Sequence, residues 1–157
     1  MENEELLKEL ENRFKKIKSE MGIKSSLEEL DNAFFIKDFI LKEGFISERL
    51  SRQINYKIVD TYMGWNEYFH SLIMPNPQNM LNISESKIFS KEEKKEIVEM
   101  MKKIMQISSK NNLILITKDK KGEGKFLDEG LEFWESEFKE KIARIMKKIN
   151  KEWGNTE

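Results

Sequence analysis

Eight apolar residues, Ile46, Leu50, Ile54, Ile58, Tyr62, Trp65, Phe69 and Leu72, return every three or four positions. That step is the helical period, and it holds for roughly seven turns. The stretch from Phe45 to Met74 is therefore expected to be a long helix whose stripe the rest of the chain covers. Ser47 is its candidate N-cap, and Pro75 and Pro77 stop it. Gly64 falls in mid-helix, where it costs about 1 kcal/mol relative to alanine. A glycine at that point suggests the close approach of another helix or a large ring.

The flanking segments carry the same period. Leu6, Leu7, Leu10, Phe14, Ile17 and Met21 predict a first helix from about Glu4 to Met21, with Gly22 as its stop. Ser25 or Ser26, followed by Glu28 or Glu29, is a capping box that opens a second helix running to Lys42-Glu43-Gly44. Phe35, Ile36, Phe39 and Ile40 make that helix apolar almost all round, as expected of a central or partner-covered element. Ser90-Lys91-Glu92-Glu93 is a second capping box. Beyond it, Ile97, Met101, Ile104, Met105, Ser108 and Leu115 share one face of a fourth helix, which takes in Leu113 to Ile116. Leu127, Leu131, Trp134, Phe138, Ile142, Ile145, Ile149 and Trp153 predict a fifth. Between helices lie residues 76–89, rich in Asn, Pro and Ser, and the charged segment Lys118 to Lys125 with its two glycines.

With two prolines and seven glycines, the chain lacks the turn signals of an all-β fold. The expected fold is all-α, an antiparallel bundle of about five helices in a single domain spanning 1–157. Its parts are an N-terminal helix (1–22), a helical hairpin (25–75), an irregular loop (76–89) and a second hairpin (90–153). The first helix lies across the others or extends as a coiled-coil-like arm. An acidic N-terminus and the lack of any apolar run near the ~20 residues of a bilayer span predict a soluble, cytoplasmic protein.

There is no cysteine, which excludes disulfides, thiolate metal sites and thiol catalysis. Glu67 and His70 form a Glu-x-x-His pair, but di-iron bundles need two copies and the chain has one histidine. No metal and no cofactor are expected. A serine hydrolase would have to use His70 too, and no serine stands in a Gly-x-Ser-x-Gly turn. The run His70-Ser71-Leu72-Ile73-Met74-Pro75 resembles the phosphoacceptor helix of sensor histidine kinases. It departs from that pattern at Ser71, where an acid follows the histidine in the family. The resemblance implies phosphotransfer through His70.

Lys91 to Lys125 holds ten lysines against six acids, while the whole chain is balanced at 28 basic and 29 acidic residues. Lys118, Lys120, Lys121 and Lys125 close this stretch, with Asn111 and Asn112 nearby. Such a stripe can track phosphates, although it lacks arginine. The Lys-Gly-Glu-Gly-Lys run fails the P-loop spacing. The leading expectation is a non-catalytic interaction or assembly module that self-associates or binds a protein partner. Trp65, Tyr68, His70, Pro75, Pro77 and Met80 are its candidate contacts. The apolar circumference of the second helix, the off-stripe Met100 and Trp153 are expected to add apolar surface. The alternative is a nucleic-acid-associated accessory subunit acting through the lysines.

Overall fold

The computed structural model describes residues 2–155; Met1, Thr156 and Glu157, which the 1–157 domain span includes, lie outside the described residues. In chain order the helices are α1 (Asn3–Met21), α2 (Leu27–Phe34), α3 (Ile36–Glu43), α4 (Leu50–Ile73), α5 (Met80–Ser86), α6 (Lys91–Thr117) and α7 (Lys120–Phe133). A π-helical turn (Trp134–Phe138) then leads into α8 (Lys139–Gly154). The described residues contain no strand, so the fold is all-helical.

The long stripe is the centre of the molecule. Leu50, Ile54, Ile58, Tyr62, Phe69 and Leu72 are buried on α4, and α6 and α7 pack on it most extensively. α1 lies against α7, α3 and α4 and buries Leu6, Leu10 and Phe14, so it is a packed element and not an extended arm. Gly22 ends it in the left-handed conformation, φ 66°, as its sequence position predicts.

Both capping boxes form. Ser26 accepts from the Glu29 backbone and Glu29 returns the bond; Ser90 and Glu93 do the same at the start of α6. The second helix, however, is broken. Phe35 adopts φ 56°, ending α2 and starting α3, and Asp31 caps the new start by accepting from the Lys37 N–H at 2.8 Å. A left-handed phenylalanine costs about 1–2 kcal/mol. At the break Phe34 and Ile36 are both fully buried while Phe35 between them turns outward, 60% exposed.

Other boundaries move for similar reasons. α4 starts at Leu50, because Phe45 to Arg49 form a turn whose Ile46 and Ser47 carbonyls accept from the Arg13 guanidinium. Ser47 is not the N-cap; its hydroxyl accepts from the Arg49 N–H. Gly64 has open space around it, so the expected close approach is absent there. It occurs on α7, where Gly124 meets Met21 and Gly130 meets Ile58. The 76–89 segment contains α5, capped by Asn79 and docked by the Ser86 hydroxyl on the Leu72 carbonyl at 2.6 Å.

The charged segment 118–125 is mostly helix. Lys118, in the left-handed conformation, ends α6, and the Asp119 carboxylate caps α7 through the Gly122 N–H. The buried face of α6 centres on Ile97, Met100, Ile104, Asn111 and Ile114. Met100 is thus core, Met105 is exposed, and Asn111 points inward with its Oδ1 lacking a protein partner. The fifth stripe spans α7, the π turn and α8. In the π turn the Lys139 N–H donates to the Trp134 carbonyl, and Phe138 stays in an aromatic cluster with Tyr62, Phe69, Phe133 and Trp134.

Candidate functional site

Two places on the surface combine fixed geometry with exposed recognition groups. The first is the end of the molecule where α4 runs out, α5 folds back and α8 finishes. Tyr68 donates its hydroxyl to Glu85 Oε1 at 2.9 Å, and the Trp153 indole donates to Glu85 Oε2 at 2.8 Å. One carboxylate of α5 thus clamps a ring of α4 to a ring of α8. Burial pushes the Tyr68 hydroxyl upward from its ordinary value, and the hydrogen bond and charge of Glu85 push it further the same way. The same three helix segments expose apolar side chains: Met74, just after α4, is 67% exposed, Met80 and Leu81 at the start of α5 80% and 64%, and Trp153 on α8 49%.

The candidate residues divide here. Trp65 is half-buried, with Tyr68 and Phe69 at 6.3 and 6.2 Å, and lies at the margin of the core. Tyr68 and Pro75 are half-buried, whereas His70, Pro77 and Met80 are exposed. Two residues on from Tyr68 is a rotation of about 200° on a helix, so His70 stands on the opposite side of α4 from the Glu85 clamp. His70 makes no side-chain hydrogen bond among the described residues, and no group of three or more His, Cys, Asp or Glu there could hold a metal. Glu85 went unnoticed in the sequence, since one glutamate among many carries no local signal. The apolar residues of 76–89 suggest a segment packed back on the bundle; Phe89 is buried, whereas Met80 and Leu81 point outward.

The second place is the junction of α6 and α7, where it meets the first turn of α4. Glu123 has a side chain with 0% exposure. Its Oε2 accepts from Arg49 Nη2 at 3.1 Å and from Arg52 Nε at 3.2 Å, and its Oε1 accepts from the Ser51 hydroxyl at 2.7 Å. Asn55 completes the contact by donating to the Glu123 carbonyl at 3.0 Å, leaving its own Oδ1 without a protein partner. Lys118, Lys120, Lys121 and Lys125 are all exposed here and form no ion pair among the described residues. Elsewhere along the predicted stripe four lysines are engaged. Lys102 pairs with Glu99, Lys103 with Glu137, Lys110 with Glu129, and Lys94 donates to Ser86. The stripe is therefore not continuous: exposed Lys91 and Lys95 at the start of α6 form no ion pair among the described residues either, the lysines between are engaged, and Asn111 is buried. Arg49 and Arg52 supply the bidentate chemistry that the lysine run lacks.

Set against family models, curated proteins and solved structures, the chain matches none of them. No helix among the described residues is long and apolar enough to cross a membrane.

Proposed function

We propose that this protein is a non-catalytic, cytoplasmic interaction module, a single antiparallel helical bundle whose copies associate through the α4–α5–α8 end. The observation that carries this reading is the exposure of Met74, Met80, Leu81 and Trp153 on the segments that the Glu85 clamp joins. Apolar side chains that point into water contribute most when they are held in place before binding, and Glu85 holds Trp153 and Tyr68 from two other helices. Tryptophan and methionine are enriched at the centres of protein interfaces. A second copy is the favoured occupant because a net charge of −1 leaves no long-range repulsion between copies. A two-fold contact would also bring the same Met and Trp side chains together.

The test is sedimentation of the wild-type protein beside a Met80→Glu, Leu81→Glu double variant. Both positions are exposed, so the fold tolerates the change. A concentration-dependent dimer that becomes a monomer in the variant supports the proposal. A wild-type protein that stays monomeric up to millimolar concentration, or a variant that dimerises as well, removes it.

A further inference from the structure

The geometry points to a second, separate site: a single-stranded nucleic-acid contact running from Arg49, Arg52 and Tyr56 on α4 across to Lys120, Lys121 and Lys125 on α7. It does not depend on the self-association proposed above, which uses the opposite end of α4.

The chemistry begins at Glu123. The buried carboxylate takes one N–H from each guanidinium, so both arginines are anchored at their inner edge. Their side chains remain 41% and 31% exposed, and their other N–H groups have no protein acceptor among the described residues. An arginine fixed in this way loses little freedom on gripping a phosphate, and its planar fork matches phosphate oxygens. Lys118 and Lys120 lead into the turn that holds Glu123, and Lys121 and Lys125, two residues either side of it, stand exposed on the outer face of α7. The acids of the same two segments are Glu48, Asp119 and Glu123. Of these, Glu123 is sealed from solvent and Asp119 is occupied in capping Gly122.

The aromatic partner lies one turn along. Positions 49, 52 and 56 fall on one face of a helix. Tyr56 is 60% exposed and stacked on Phe39, with ring centroids at 6.2 Å and planes inclined by 29°. Phe45, in the turn before α4, is 54% exposed. Fixed cations with an exposed, backed ring beside them are what an unpaired base and its phosphate require. A duplex would hide the base faces and leave Tyr56 idle. The groove on the far side of Tyr56 is lined by Asp38, Glu43 and Asp60 against Lys42 and Lys57, so an anionic strand is turned away from the length of α4 and towards the lysines of α7.

Fluorescence anisotropy with a labelled single-stranded oligonucleotide tests this on the whole protein. If four phosphates are engaged, affinity falls by about 50-fold between 50 and 200 mM salt. Replacing Lys120, Lys121 and Lys125 together by glutamine, at three exposed positions, lowers the salt slope by about 2. Tyr56→Leu weakens single-strand binding by at least about fivefold, the loss of one stacked base, and changes duplex binding little. The Met80→Glu, Leu81→Glu variant binds as wild type does, which separates this site from the proposed dimer contact. No binding at 50 mM salt, an unchanged slope in the lysine variant, or equal competition by polyglutamate of matched charge would each overturn the assignment.

Discussion

Tyr62 donates its buried hydroxyl to the main-chain oxygen of Gly130 over 2.6 Å, fastening α4 to α7 at the aromatic centre of the molecule. The contact is this short because Gly130 has no side chain. A Cβ added there would stand 2.9 Å from Cγ2 of Ile58, on the branched, rigid part of that side chain.

Gly64 of α4 and Gly130 of α7 should therefore respond in opposite directions to alanine. Gly130→Ala gains helix propensity but overpacks α4 against α7, for a net loss of about 1–2 kcal/mol. Gly64→Ala meets nothing within 4 Å and should stabilise by about 0.5–1 kcal/mol. Urea denaturation of both variants checks this, and the same sign for the two would contradict the packing.

Alkaline titration should find Tyr62 and Tyr68 reluctant to ionise. Burial raises both above their ordinary value, with Glu135 adding to the effect at Tyr62 and Glu85 at Tyr68. A folded-state value raised above the unfolded one contributes stability that is present below the unfolded pKa and lost above it. Stability should accordingly decline as pH rises past about 10. Tyr62→Phe and Tyr68→Phe should flatten that decline, as read by thermal melts across the alkaline range.

Removing partners from the Glu123 network should be asymmetric. Arg49→Ala with Arg52→Ala strands a fully buried carboxylate and should cost about 3–5 kcal/mol. Glu123→Gln leaves two partly exposed guanidinium groups that water can satisfy, and should cost about 1–2 kcal/mol. Equal losses in the two variants would show that the carboxylate is not sealed as described.

Glu93 links α6 to α8 through Lys148 at 2.6 Å. That hydrogen bond, followed by the Ser90 backbone, lowers the Glu93 carboxyl below its ordinary value of 4.5. A depressed folded value gives stability present above the unfolded pKa and lost as pH falls through the folded one. The Lys148→Met variant should melt slightly below wild type at neutral pH, by well under 1 kcal/mol for so exposed a pair, with the gap closing in acid. A gap that widens in acid would contradict the assignment.

Much of the helix pattern is legible in the residues because its causes are local. The capping boxes Ser26/Glu29 and Ser90/Glu93 lie within one turn, and Gly22 needs only its own φ. The stripe from Leu50 to Leu72 is a local periodicity as well. The break at Phe35 is different. Nothing within the second helix announces it; Phe34 and Ile36 are buried on either side of it by segments distant in the chain, and Phe35 is left outside. The helical state of Lys120 to Gly124 likewise runs against two glycines. It is held by the Asp119 cap and by Glu123, whose partners are more than seventy residues away in the chain.

The sites follow the same division. Exposed Met80, Pro77 and the lysines of 118–125 stand out in the sequence by type and position. The carboxylates Glu85 and Glu123 do not, since each acts on side chains from distant parts of the chain: Tyr68 and Trp153 in one case, Arg49 and Arg52 in the other. By itself the sequence determined the helical class, the central stripe and several helix ends, all products of spacing and of groups a few residues apart. Only the tertiary structure decided where α2 breaks, which face of α6 turns inward, and which acids gather the arginines and aromatic rings. Those outcomes depend on packing between segments that only the folded chain brings together.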